Sequence, residues 1–238
     1  MNNFLIFNGH QSRDFGIYIS GSGTFGAPKR KFEEFTVPGR NGVLKIDSGT
    51  FENALVSYKC AIVRDFAQNA AALRSWLLSP AGYCRLEDTY HPEEFRMAQY
   101  STGVDFTDFT QLLRAASVTL TFDCKPQRFL KSGENPIYNP VKIYNPTEFP
   151  SKPLIKFKMT AKSGSIAVGD CNISLSGVTV GEIITIDAET MDAVGTFGGN
   201  VNNGIAVTGD MLLQPQTYAT VSSSGITDLT ITPRWWII

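Results

Sequence analysis

The chain of 238 residues carries 21 Lys+Arg against 22 Asp+Glu, a formal charge of −1, with 42% of residues apolar and 18% charged. That length and apolar share support one large or two small domains with a sizeable core, and exclude a disordered, charge-driven polypeptide. The balanced charge leaves no basic surplus to collect phosphates, so nucleic acid is not expected as a partner; neither a membrane-spanning run nor a secretory leader is expected either.

Residues 4–7 open the chain as a strand, and Asn8-Gly9 behind them favours positive φ and a tight turn, with a second strand expected at 15–20. Residues 32–37 read as another strand, closed by Pro38-Gly39-Arg40-Asn41-Gly42, where proline fixes φ and the glycines supply the turn. Val56, Tyr58, Cys60 and Ile62 then fall at period two, opposite Ser57, Lys59 and Ala61, as a half-buried strand requires. A helix is expected over 65–79: Phe66, Ala70, Leu73 and Leu77 recur at helical spacing, Asp65 is placed to cap it, and Pro80 and Gly82 end it. Strands follow at 83–86 and 95–100, and the alternation of Ala116, Val118, Leu120 and Phe122 predicts one more. The first domain, residues 1–134, is therefore expected to be an α+β unit: mostly β, a sandwich with one packed helix.

Residues 135–153 carry five of the twelve prolines and an internal echo, Ile137-Tyr138-Asn139-Pro140 followed by Ile143-Tyr144-Asn145-Pro146. Proline removes ladder donors, so this stretch reads as a stiff connector or a pair of edge segments. The third region, residues 154–238, holds only β-like runs, at 154–159, 166–168, 173–175, 182–187, 205–207, 218–221 and 229–231, separated by Gly, Asn, Ser and Asp. That spacing predicts a second β-sandwich.

Four cysteines, Cys60, Cys84, Cys124 and Cys171, lack paired spacing and read as reduced, mostly buried thiols. Gly21, Gly23 and Gly26 fit G-x-G-x-x-G, but Ala27-Pro28-Lys29-Arg30-Lys31 leads into a strand where a dinucleotide site needs a helix, so a loop is expected and no cofactor. Lys29, Arg30 and Lys31 offer cations to an acidic partner or to solvent. His91-Pro92-Glu93-Glu94 and the set Asp187, Glu189 and Asp192 are weak starts for metal, calcium or glycosidase chemistry, each better read as an acidic loop. With two histidines in the chain, no catalytic residues and no metal site are assigned. Trp235 and Trp236 are adjacent, so on a strand they point to opposite faces; one is expected in the core and the other as an edge cover, together anchoring the chain end.

Several motifs give a further reading: Phe7-Asn8-Gly9, Val37-Pro38-Gly39-Arg40-Asn41-Gly42 and Phe122-Asp123-Cys124-Lys125-Pro126-Gln127-Arg128 in the first domain. In the second they are Tyr144-Asn145-Pro146, Pro153-Leu154-Ile155-Lys156-Phe157, Ile186-Asp187-Ala188-Glu189 and Pro233-Arg234-Trp235-Trp236. In order and spacing the chain resembles the siphovirus-type distal tail protein (Dit) family of long-tailed bacteriophages. The resemblance implies a structural hub and not an enzyme: a homo-hexameric ring whose first domain builds a channel and whose second is a galectin-like sandwich facing outward. It implies partners in the tail tube protein, the tail tip or tail-associated lysin protein and receptor-binding proteins, and a place at the distal end of the virion tail after assembly in the host cytoplasm. Arg40, with Lys29, Arg30 and Lys31, is the expected interface set. The alternative is a carbohydrate-binding module or a cell-wall glycan hydrolase component built on the second sandwich.

Overall fold

The period-two alternation in residues 54–62 and 115–124 builds the centre of the first core. In this computed structural model, which describes residues 3–20, 26–62, 66–110, 115–197 and 199–238, the strands Ala54–Ile62 and Ala115–Leu130 pair antiparallel, with Val56 opposite Phe122, Tyr58 opposite Leu120 and Cys60 opposite Val118. All six are buried, whereas Leu55, Ser57 and Lys59 between them are exposed, so each strand gives one face to the core. A nine-stranded sheet grows around this pair, with Cys84–Asp88, Glu94–Gln99 and Leu5–Phe7 on one side and Ile17–Ser20 on the other. Phe7, Tyr58 and Tyr100 pack around Phe122 with ring centres 5.1, 5.9 and 5.2 Å away, each pair adding roughly 0.5–1.5 kcal/mol beyond its area burial.

The helix Phe66–Leu78 closes this core with Ala70, Leu73, Trp76 and Leu77. Trp76, which helical spacing alone does not single out, stacks on Phe15 at 4.8 Å and donates its indole N–H to the Phe7 carbonyl at 2.9 Å, so its one polar group is satisfied inside. Asp65, the expected cap, and Gly21 and Gly23 of the glycine motif lie outside the described residues. The first turn is as expected, Asn8 and Gly9 having φ of 49° and 79°. The strand it returns into is the short His10–Gln11, and a 3-10 turn, Ser12–Phe15, precedes Ile17–Ser20.

The second unit is a two-sheet β structure around one core. Its six-stranded sheet runs in the order Ile137–Tyr138, Ile226–Thr232, Leu154–Met159, Ile183–Asp187, Asp192–Gly195, Gly199–Asn200. The five-stranded sheet runs Lys142–Tyr144, Tyr218–Ser224, Ser163–Val168, Cys171–Ser176, Ile205–Thr208. Among the described residues the strands of both sheets pair antiparallel, and alternate residues of both, among them Ile155, Phe157, Ile186 and Ile231 from one and Ile166, Ile173 and Val221 from the other, meet in a single cluster. This is the mostly β, sandwich-type architecture the alternation predicts.

The chain divides into compact units of residues 1–128 with Ile238, and 129–237. Residues 135–153 therefore fall within the second unit. They supply Ile137–Tyr138 and Lys142–Tyr144, each at the edge of a sheet, where proline's missing N–H costs no ladder bond.

Candidate functional site

Residues 30–51 form an element that belongs to neither core. The strands Arg30–Thr36 and Val43–Phe51 pair with each other into a two-stranded sheet of their own, and among the described residues neither pairs with a third strand. Gly39 and Gly42 hold φ of 79° and 83°, and the Arg40 N–H donates to the Val37 carbonyl at 3.2 Å, so the Pro-Gly and Asn-Gly chemistry makes the expected turn. At the base, the Glu52 N–H donates to the Lys29 carbonyl at 2.8 Å.

Register divides the ribbon into two unlike faces. Phe35 lies opposite Leu44 and Glu33 opposite Ile46, so three apolar side chains share one face. On the other, Glu34 lies opposite Lys45 and binds it at 2.8 Å, Arg30 binds Asp47 at 2.7 Å, and the Lys45 ammonium sits 5.9 Å from the Phe32 ring centre. Exposed ion pairs of this kind stabilise by only about 0–1 kcal/mol, and this face also carries Phe32 and Val43, 45% and 47% exposed. The first face has one charge, Glu33, beside the neighbouring Phe35, Leu44 and Ile46, which are 47%, 43% and 49% exposed. An isolated two-stranded hairpin is marginal in water at best, and a rimmed apolar patch marks a place where another surface packs.

Three of the four residues expected at an interface are on this ribbon, and Lys29 directly precedes it. Arg40 is exposed at the turn, and Lys29, Arg30 and Lys31 are exposed at the opposite end, so they form two sites separated by the ribbon's length and not one basic patch. Phe35, Leu44 and Ile46 were not legible as site residues, although the alternation of Val43, Lys45 and Asp47 with Leu44 and Ile46 carries the signal. Trp235 is buried in the second core, while Trp236 stacks on Phe149 at 4.4 Å and donates its indole N–H to the Pro150 carbonyl at 2.9 Å. Gly133 makes room for this segment: a Cβ there would clash with the Trp235 backbone nitrogen.

The acidic candidates are engaged in structure. His91 Nδ1 is 3.1 Å from Asp88 Oδ1, and Glu94 pairs with Arg128. Asp187 is held by Arg234, and Asp192 Oδ1 accepts from the side-chain amides of Asn200 and Asn202 at 2.7 and 2.9 Å. Among the described residues no group of three or more His, Cys, Asp or Glu is placed to hold a metal ion.

No protein-family model and no curated protein sequence matches the chain. A solved structure does: that of the Dit protein of phage SPP1, described as a paradigm of the hub adsorption apparatus in phages infecting Gram-positive bacteria. The similarity has a TM-score of 0.78 and covers 100% of both chains at 12% sequence identity. The two chains share one fold. The fold that the sequence motifs imply, that of the Dit proteins, is thus the fold found along the whole chain, at an identity too low for side-chain roles to be carried across.

Proposed function

We propose that this chain is a distal tail protein, the structural hub of a phage tail tip, in which six copies close into a ring. The observation that carries this reading is the full-length fold shared with a hub protein, and the exposed ribbon 30–51 supplies the contact such a ring needs. Closed rings use heterologous interfaces, in which one patch of each subunit meets a different patch of the next. The apolar face of Phe35, Leu44 and Ile46 is one such patch; Arg40 at the turn, with Lys29, Arg30 and Lys31 at the base, sets the register through charge at either end.

In this reading the first unit lines the channel and meets the tail tube and the tip or tail-associated lysin protein, and the second is the galectin-like outer domain that carries receptor-binding proteins. The ring sits at the distal end of the virion tail and assembles in the host cytoplasm. Its work is mechanical connection, without catalysis or cofactor. Light scattering of the purified full chain at several concentrations, alone and with the tube and tip proteins, tests it. A species of six times the chain mass in either condition is expected. A chain that stays monomeric throughout overturns the hub.

A further inference from the structure

Three Asn-Gly steps occur in the chain, Asn8-Gly9, Asn41-Gly42 and Asn203-Gly204. Such a step can cyclise: the glycine amide nitrogen loses its proton to solvent and attacks the asparagine Cγ, and the new C–N bond replaces the one to the side-chain nitrogen, which leaves as ammonia. Water then opens the succinimide to aspartate or isoaspartate, so one water enters and one ammonia departs. Glycine's missing Cβ clears the approach, but the nitrogen must also be free, and the asparagine Cα–C bond must rotate to bring it onto Cγ. The fold grants these freedoms unequally. Gly204 ends the 3-10 turn Asn202–Gly204, its N–H donates to the Val201 carbonyl at 3.0 Å, and a Cβ there would lie 2.7 Å from the Ser176 carbonyl oxygen, so its backbone is held. Asn8 and Gly9 fill the tight turn between the paired Phe7 and His10, with φ of 49° and 79°, and rotation of Asn8 would part that pair. Asn41 and Gly42 are exposed in the longer connection 37–42 between the paired Thr36 and Val43. Among the described residues no carbonyl takes the Gly42 N–H, and nothing stands within 4 Å of where a Cβ would be.

We infer that Asn41 is a site of spontaneous deamidation, with water as the only co-reactant, and that the reaction limits how long an unassembled copy stays competent to join its neighbours. The second part rests on the proposed ring. The product places a carboxylate one residue from Arg40, the exposed cation of the turn, and so offsets the charge that sets register there. Its isoaspartate form also lengthens the main chain by one carbon inside the turn that Gly39 and Gly42 shape. Both changes fall on the contact surface and neither reaches a core, so the aged chain stays folded and loses only its hold on the next subunit.

The full chain, held at pH 8 and sampled over days, is digested and its peptides weighed. A gain of about one mass unit at Asn41, accumulating several times faster than at Asn8 or Asn203, is expected, and urea should bring the three rates together by removing the fold. Asn41→Gln, whose longer side chain closes the corresponding ring far more slowly, should keep its initial assembly strength through the same ageing, which the parent loses. Asn41→Asp should keep the parent's melting temperature and weaken assembly about two- to fivefold, the effect of one exposed charge. Equal native rates at the three steps, or a faster rate at Asn8 or Asn203, overturn the site. Assembly of Asn41→Asp at parental strength overturns its effect on the ring. A parent chain that never assembles overturns the ring itself and with it the timing, while the mass ranking still decides the modification.

Discussion

Arg234 presents Nη1 and Nη2 to the two carboxylate oxygens of Asp187, at 2.6 and 2.8 Å. The pair joins two of the motifs on which the family resemblance rests, 47 residues apart in the chain. Leu154, at the head of Leu154–Met159, pairs with Asp187 on one side and Thr232 on the other, so the fork closes over the end of that strand. Arg234 adopts a φ of 60° to aim it, and its N–H is taken by the Gly133 carbonyl at 2.8 Å.

This fork gives a pH-dependent prediction. The hydrogen bond from Arg234 holds the Asp187 carboxyl below its ordinary value of 3.8, against a smaller opposing effect of burial. A carboxyl with a lowered folded-state pKa stabilises the fold above its unfolded-state pKa and loses that contribution as pH falls through the folded one. Arg234→Ala is therefore expected to cost about 1–2 kcal/mol at neutral pH, discounted for partial exposure, and the gap from the parent chain narrows as pH falls from the ordinary value of 3.8 through the lowered folded-state one. Urea unfolding at pH 7 and pH 3 checks it; an equal gap at both assigns the loss to packing.

Trp235 and Trp236 are expected to differ in cost although they are neighbours. Trp235→Ala opens a cavity in the second core and should destabilise by about 3–5 kcal/mol. Trp236→Ala removes a stack and one hydrogen bond at a half-buried edge, and should cost about 1–2 kcal/mol. Thermal melting of the two full-length variants separates an anchor from a binding surface: equal, negligible costs would deny both an anchoring role.

On the ribbon, the two faces should respond oppositely to substitution. Phe35→Asp or Ile46→Asp is expected to abolish assembly while leaving monomer melting within about 0.5 kcal/mol of the parent. Glu34→Ala with Lys45→Ala should leave assembly intact. Arg40→Ala should weaken assembly without changing melting. Sedimentation of the variants gives the answer, and the reverse ranking of the two faces would assign the contact to the ion-pair side.

Thiol chemistry supplies a fourth test. Burial pushes the Cys60 and Cys124 thiols up to about 12, so the thiolate is scarce at neutral pH and the sulfur atoms are enclosed. Intact-mass labelling with iodoacetamide at pH 8 is expected to modify half-buried Cys84 first, and Cys60 and Cys124 only when urea unfolds the chain. Modification of Cys60 in the native state would contradict the core assigned to it.

Much of the second unit was legible because each strand is amphipathic. Six of the seven runs read from its alternation lie inside strands, for instance 166–168 inside Ser163–Val168 and 229–231 inside Ile226–Thr232, and the seventh, 182–187, starts one residue ahead of Ile183–Asp187. Helix Phe66–Leu78 was legible for the same reason, through Leu73 and Leu77. Edge strands were harder: Ile137–Tyr138 and Lys142–Tyr144 carry few buried residues and sit among prolines that signal a connector. Asp192–Gly195 read as an acidic loop end, because Asp192 and the glycine hid a four-residue strand. The second ribbon strand, Val43–Phe51, is not legible in the sequence, since no face of it is buried and Ser48-Gly49 breaks its pattern. The Asp187–Arg234 fork depends on strand order and register, which spacing along one chain does not encode.

The ribbon's lack of any part in either core also bears on how the sequence is free to change. Most substitutions are purged because they lower folding stability, and residues outside a core escape that filter. A library of variants at positions 32–46 screened for folded, soluble monomer should accept nearly every replacement that preserves the Gly39 and Gly42 turn. The same library screened for assembled particles should reject charged residues at Phe35, Leu44 and Ile46. The ribbon is then free to vary in step with whatever surface it meets, at no cost to the domain that displays it.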